Sequence, residues 1–285
     1  MVRPSRPDLR SYTGFLLRRA FVVTVGVEAS CIGDDTRTRE ISVLSILDEL
    51  GAVSQRELAE LTHISPTVIV GLVDSLASRG WVVRERNAAD RRSYALRLTE
   101  TGRKELPRLD RDLDRSELQL TSRLSEAEAA RLRAHLRVLL DGDAALRVTA
   151  LADRVGYLIG HAHGRTRERA QRALRELDLH PREFGLLSVI GRDEPCSQSH
   201  LAAALGVSDP AILPMLDSLE ARGLLTRERN LTDRRLSDVR LTEQGHSLLL
   251  ASQAQADEVQ ADIVGRLGKP ANDDLCALLA RIIGD

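Results

Sequence analysis

Aromatic residues make up only 2% of this 285-residue chain. Its cores must therefore be built from Leu, Val, Ile and Ala, a palette that favours packed helices over sheets. Lysine is almost missing: Lys104 and Lys269 are the only two. Codon usage in a GC-rich genome would explain that, but the consequence is physical either way: any phosphate contact falls to arginine guanidiniums. The three cysteines, Cys31, Cys196 and Cys276, are too few and too widely spaced for a disulfide framework or a CxxC zinc site. No apolar run is long enough to span a bilayer; residues 20–33 come nearest and are interrupted by Glu28. Residues 1–8 are short and polar and lack the apolar stretch of a secretory signal. These absences lead us to expect a cytoplasmic protein with no membrane partner. The formal net charge is only −1, so no global basic field exists and nucleic-acid binding would need a local patch. There is no phosphate loop, nucleophile elbow or metal-ligand cluster, so neither an enzyme nor a cofactor is expected. His161 and His163 lie two apart, the wrong phase for one helical face, and read as solvated or capping histidines rather than zinc ligands.

What the chain does contain is a copy of itself. Ser54-Gln55 recurs as Ser197-Gln198, an offset of 143 residues. Without a gap, the same offset carries Asp74-Ser75-Leu76 onto Asp217-Ser218-Leu219 and Arg79-Gly80 onto Arg222-Gly223. It also carries Arg84-Glu85-Arg86-Asn87 onto Arg227-Glu228-Arg229-Asn230, and Asp90-Arg91-Arg92 onto Asp233-Arg234-Arg235. Roughly two dozen of about fifty positions are identical. A unit of this length is a whole domain rather than a solenoid repeat. The polar, Gly-containing break at 141–143 predicts two domains, residues 1–143 and 144–285.

Within the first copy, residues 9–33 read as a long helix and 39–50 as a second, stopped by Gly51. Ser54 followed by Glu57 predicts a capping box and a third helix. After a tight turn at His63-Ile64, Ser65 as N-cap and Pro66 at the first helical position start a fourth helix, ended by Gly80. Residues 81–86 and 93–98 alternate as two strands around a polar turn. Thr99 restarts a helix, and Ser125 with Glu128 caps a last one. The second copy repeats this order from Ser197, with Ser208, Gly223 and Thr242 in the same roles. Two short helices joined by a tight turn form a helix-turn-helix, and the hairpin behind it forms a wing. The expected fold is mainly α with small β-hairpin wings.

The run from Leu72 and Leu76 through Arg79-Gly80-Trp81-Val82, Arg84, Asp90-Arg91-Arg92 and Leu98-Thr99 to Gly102 resembles the MarR family of bacterial regulators. The stretch from Leu219 to Gly245 resembles it equally. The resemblance covers nearly the whole chain, twice. It implies a DNA-binding transcription regulator, a repressor that responds to a small aromatic or phenolic effector. It also implies that the two domains form an intrachain pseudo-dimer with an interlaced helical interface, as two subunits do in the family. Double-stranded DNA is then the expected partner. Arg84, Arg86, Arg91 and Arg92 concentrate positive charge on the first wing, and Arg227, Arg229, Arg234 and Arg235 on the second. The family pattern makes Arg92 and Arg235 the candidate minor-groove fingers, each oriented by a carboxylate, Asp90 or Asp233.

The recognition helices depart from the family. Relatives place Thr or Ser and then Arg in mid-helix, where this chain has Val70-Gly71 and Leu213-Pro214. Only Ser65 and Thr67, or Ser208 and an unfavourably charged Asp209, remain to read base edges. Pro214 is expected to kink or shorten its helix, making the second lobe the weaker reader. The scarce aromatics of each first helix, Tyr12 and Phe15 with Arg19, and Tyr157 with His161, line the family's effector pocket or simply fill the core. The competing reading of the whole chain is a winged-helix scaffold that sequesters a small molecule and no longer binds DNA. Only about five residues separate the last helix of the first copy from the first helix of the second, a normal helix–helix connection. We therefore expect a monomer with internal pseudo-twofold symmetry.

Overall fold

The computed structural model describes residues 8–33, 35–62, 64–86, 94–229 and 237–284, without the side chains at 35–37, 229 and 237. In chain order the first copy comprises α1 (Thr13–Ile32), α2 (Asp35–Leu50), β1 (Val53–Ser54), α3 (Gln55–Thr62), α4 (Pro66–Ser78), β2 (Val82–Arg86), β3 (Tyr94–Leu98), α5 (Glu100–Leu120) and α6 (Glu126–Leu139). A short α7 (Thr149–Ala152) follows. The second copy comprises α8 (Val155–Leu174), α9 (Pro181–Asp193), β4 (Cys196–Ser197), α10 (Gln198–Leu205), α11 (Asp209–Ala221), β5 (Leu225–Arg229), β6 (Ser237–Leu241), α12 (Glu243–Leu267) and α13 (Lys269–Ile283). The expected mainly helical fold with two winged helix-turn-helix lobes is present.

The chain forms two compact units, each gathered from two stretches. Residues 17–165 and 267–285 make the unit that carries the first winged lobe. Residues 1–16 and 166–266 make the unit that carries the second. The predicted break at 141–143 falls inside the first-lobe unit, just after α6, where Gly142 takes a left-handed φ of 75°.

Each lobe has an aliphatic core, as the scarcity of aromatics required. In the first, Ile41, Leu44 and Leu47 of α2, Leu58 and Leu61 of α3, and Ile69, Val73 and Leu76 of α4 are all buried. They close over Leu96 of β3 and Leu109 of α5. In the second, Leu186, Leu187 and Ile190 of α9 meet Leu201, Ile212, Leu216, Leu219 and Val239. Fully burying one such side chain stabilises by about 1.5–3 kcal/mol. The 3–4 spacing of these residues turns one face of every helix inward.

Each lobe has three strands rather than a bare hairpin. β1 pairs antiparallel with β3 through Val53 and Leu96, and β4 with β6 through Cys196 and Val239. A two-residue strand carries too little alternation to be read from sequence.

The caps are met in part. Ser125 and Glu128 form the full reciprocal box, at 3.3 and 2.8 Å. Ser54 accepts from the Glu57 amide at 3.1 Å, but the Glu57 carboxylate instead receives Arg147, so only half of that predicted box exists. Ser65 and Ser208 occupy N-cap positions without a side-chain cap bond. Nor does Pro214 shorten its helix: α11 spans thirteen residues, as α4 does. Pro214 is exposed, so the backbone carbonyl it leaves without an amide lies on a helix face open to water.

The repeated Leu-Thr-x-x-Gly has a steric cause. Thr99 donates to the Gly80 carbonyl at 2.7 Å and accepts from the Gly102 amide at 3.0 Å. This draws α5 so close that a Cβ on Gly102 would stand 2.4 Å from the Trp81 carbonyl oxygen. A Cβ on Gly245 would stand 2.0 Å from that of Leu224. Both are far inside contact distance, so neither glycine can be replaced without moving the wing.

Candidate nucleic-acid interface

The interface is built outward from α3 and α4. These helices are bent by 112° relative to one another, within the range of a helix-turn-helix. α4 buries Ile69, Leu72, Val73 and Leu76 and leaves Ser65, Thr67, Val68, Val70, Gly71 and Asp74 exposed. Two sets of polar contacts fix its orientation, and both recur in the second lobe at the same offset of 143.

The first set ties the C-terminal end of α4 to α2. Glu40 on α2 is buried, its side chain only 8% exposed. It accepts from the Ser75 hydroxyl at 2.9 Å and forms an ion pair with Arg79. Arg79 also donates to Ser75 Oγ at 3.2 Å and lies 4.3 Å from the centroid of the Trp81 ring. In the second lobe, Ser218 and Arg222 donate to Glu183 at 3.5 and 3.4 Å.

The second set ties the recognition helix to the wing. In a strand, alternate residues share a face. Arg84 therefore shares the inner face of β2 with buried Val82 and turns toward α4, where it pairs with Asp74 at 2.5 Å. Arg227 pairs with Asp217 at 2.7 Å and, through Nε, with Glu220 at 2.9 Å. Arg84 and Arg227, predicted to face DNA, are thus held by carboxylates of their own lobe. Their side chains are 35% and 26% exposed. Arg86 is exposed at the end of β2, opposite Tyr94. Arg229 ends β5 opposite Ser237. Asp90, Arg91, Arg92, Asp233, Arg234 and Arg235 lie outside the described residues. Ser208 is exposed before α11, as is Asp209 within its first turn.

Sequence reasoning missed the Glu40–Ser75–Arg79 and Glu183–Ser218–Arg222 clusters. Their signal was present: all three positions are identical between the copies. What hid it was distance along the chain, since Glu40 lies 35 residues before Ser75.

The predicted effector residues sit in two places. Tyr12 and Phe15 pack on the second-lobe core. There the Tyr12 hydroxyl donates to Asp257 at 2.6 Å and its ring meets Phe184 edge-on at 6.1 Å. Burial and that carboxylate push the Tyr12 hydroxyl well above its ordinary range. Arg19 is half-buried on the part of α1 that belongs to the first-lobe unit. Tyr157 and His161 are brought together at 4.2 Å on α8. His161 is buried and His163 stacks on Phe21 at 4.9 Å, so these are ring-packing histidines rather than solvated or capping ones.

Tyr157 lines a cavity of about 40 Å³ in the first-lobe unit, shared by α1, α2, α5 and the start of α8. Glu117 in its wall accepts from the amides of Val155 and Gly156 at 2.7 and 3.2 Å. Burial nevertheless raises the Glu117 carboxyl above its ordinary range. Thr38 Oγ1 and Arg154 Nε also belong to wall residues, and neither has a hydrogen-bond partner among the described residues.

Cys196 is buried, and burial with nearby Asp193, Glu194 and Asp238 pushes its thiol up to about 11, the opposite of a reactive thiolate. No group of His, Cys, Asp or Glu suited to a metal ion occurs among the described residues. No single helix described is long and apolar enough to cross a membrane.

The MarR family model matches twice, over residues 35–93 and 177–236, each time covering the helix-turn-helix and the first wing strand. Among solved structures, the transcriptional repressor CouR bound to a 23-mer DNA duplex is 30% identical, covering 46% of this chain and 92% of its own, with a TM-score of 0.44. The structure of CouR from Rhodococcus jostii bound to p-coumaroyl-CoA is 25% identical over 47% and 94%, TM-score 0.44. The S. aureus MepR–DNA complex is 23% identical over 45% and 95%, TM-score 0.43. With its signature matched once per copy, the chain belongs to the MarR family, as a tandem of two winged helix-turn-helix lobes.

Proposed function

We propose that the chain is a DNA-binding transcription regulator, a ligand-responsive repressor that brings two recognition helices and two arginine wings to one pseudo-palindromic site. The observation that carries this reading is the duplicated bracing of the recognition helix. Maintaining Glu40–Ser75–Arg79 and Arg84–Asp74 in both copies makes sense where helix and wing must keep one geometry against a rigid partner. In the family arrangement the helices would enter successive major grooves about 34–36 Å apart, while the wing arginines take phosphates and the minor groove.

The effector site we favour is the cavity beside Tyr157. At about 40 Å³ it admits a hydroxyl or carboxylate oxygen. A cavity that holds benzene is about 150 Å³, so a phenolic effector must part α1 from α5 to enter. Since α5 starts at the wing, that motion reaches the DNA-binding face. Arg154 Nε and the Thr38 hydroxyl supply donors for the effector's oxygen.

The charge of the second lobe favours weaker DNA binding by that lobe. Residues 51–98 carry seven Arg against five Asp and Glu, a net of +2. Residues 194–241 carry six Arg against seven Asp and Glu, a net of −1. The first lobe is then the principal DNA reader and the second an auxiliary one. A mobility-shift assay with the duplex upstream of the chain's own gene, against an unrelated duplex of equal length, tests the proposal. Preferential retardation of the upstream duplex is expected; no retardation of either would leave the sequestering scaffold.

A further inference from the structure

The outward faces of both recognition helices are nearly devoid of hydrogen-bonding side chains, and this was not forced by folding. On α4, Val68 and Val70 are 39% and 43% exposed. Gly71 is exposed too, and a Cβ there would meet nothing within 4 Å. In the second copy the positions of Thr67, Val68, Val70 and Gly71 hold Pro210, Ala211, Leu213 and Pro214, all exposed. The residues differ between the copies, but no hydrogen-bonding side chain was gained at any of the four. The next outward residues, Asp74 and Asp217, are identical and are spent on Arg84 and Arg227. Valine, glycine and proline are poor helix formers, and no packing demand in the lobe explains them on an open face. What they do suit is close approach to a partner.

The partner is identified by its surroundings and its chemistry. α4 lies in the half-lobe of net charge +2, beside exposed Arg86 on the wing and Arg56 at the start of α3, whose side chain is 91% exposed. That setting fits a polyanion. Among the groups on the major-groove floor, every base edge offers donors or acceptors, and thymine alone adds an apolar one, its C5 methyl. Resting on the DNA-binding reading above, we propose that α4 selects its site through thymine methyl groups, which Val68 and Val70 cover while Gly71 clears room for the helix to sit deep in the groove. Specificity then follows the position of thymines facing α4, with the hydroxyls of Ser65 and Thr67 contributing at the first turn.

The test replaces every thymine of the upstream duplex by uracil, which deletes only the C5 methyl, and compares dissociation constants by fluorescence anisotropy. Burying one methyl corresponds to about a fourfold change in Kd, so two covered methyls predict roughly a fifteenfold weaker Kd on the uracil duplex. The exposed pair of substitutions V68S and V70S should abolish the difference while leaving the salt dependence intact. Equal, salt-dependent affinity of the wild type for both duplexes would overturn this inference and leave DNA binding standing. Undiminished thymine preference in the double variant would overturn the assignment to Val68 and Val70. Salt-dependent binding to neither duplex would remove the regulator reading itself, and this inference with it.

Discussion

Replacing Arg79 by Ala strikes the bracing of the recognition helix at its most consequential point. The substitution removes the ion pair to Glu40, the hydrogen bond to Ser75 and the stacking on Trp81. Glu40 stays behind with an 8% exposed side chain and only the Ser75 hydroxyl at 2.9 Å as a compensating donor. Breaking a fully buried pair costs about 3–5 kcal/mol. Arg79 is 36% exposed, so water enters the vacated space and the cost falls to about 1.5–3 kcal/mol. Removing the guanidinium from the Trp81 ring adds about 0.5–1 kcal/mol at an exposed site. Arg79→Ala should therefore destabilise the first lobe by about 2–4 kcal/mol in urea titration at pH 7. Glu40→Gln in the same background removes the stranded charge and should recover about 1–2 kcal/mol of it. A change below about 0.5 kcal/mol in the single variant, the level of an ordinary surface substitution, would refute the reasoning. So would a double variant no more stable than the single one.

Further outcomes follow from the same geometry. Arg92→Ala and Arg235→Ala should each weaken duplex binding and reduce the salt slope by about one counterion for each phosphate no longer engaged, read by salt titration. Because the second lobe is net acidic over residues 194–241, its half-site should footprint more weakly and tolerate base changes better than that of the first lobe. Asp193, held by Arg192 at 2.8 Å and His200 at 2.7 Å, titrates at about 2 instead of 3.8. A depressed carboxyl contributes stability that is present above 3.8 and lost as pH falls toward 2. Asp193→Asn should therefore lower the melting temperature at pH 7, and the gap to wild type should narrow between pH 4 and 2. Light scattering should give a mass near 31.4 kDa, one chain; a concentration-independent mass of twice that would contradict a pseudo-dimer closed within the chain.

The parts of this molecule legible in its sequence are those with a local cause. α4 and its junction with the wing follow from Pro66 at the first helical turn and Gly80 at φ 69°. The repeat made the second lobe readable from the first. What was not legible depends on partners far along the chain. β1 is a strand only because Val53 finds Leu96. Arg84 looked like a free cation because Asp74 lies ten residues away on another element. Ser65 is a good cap by type, yet it lies exposed and makes no side-chain cap bond to the amides of the first turn. The assignment of residues 1–16 to the second-lobe unit is carried by long-range interactions such as Tyr12 with Asp257, which no local pattern encodes.

Whether the braced helices and arginine wings hold duplex DNA is tested most directly by the equilibrium constant for the upstream duplex, measured as salt is raised from about 50 to 200 mM. Binding through the arginines predicts a straight fall of log K against log salt, with a slope of about −0.9 for each phosphate engaged. An affinity indifferent to salt, or no measurable binding at the lowest salt, would contradict it.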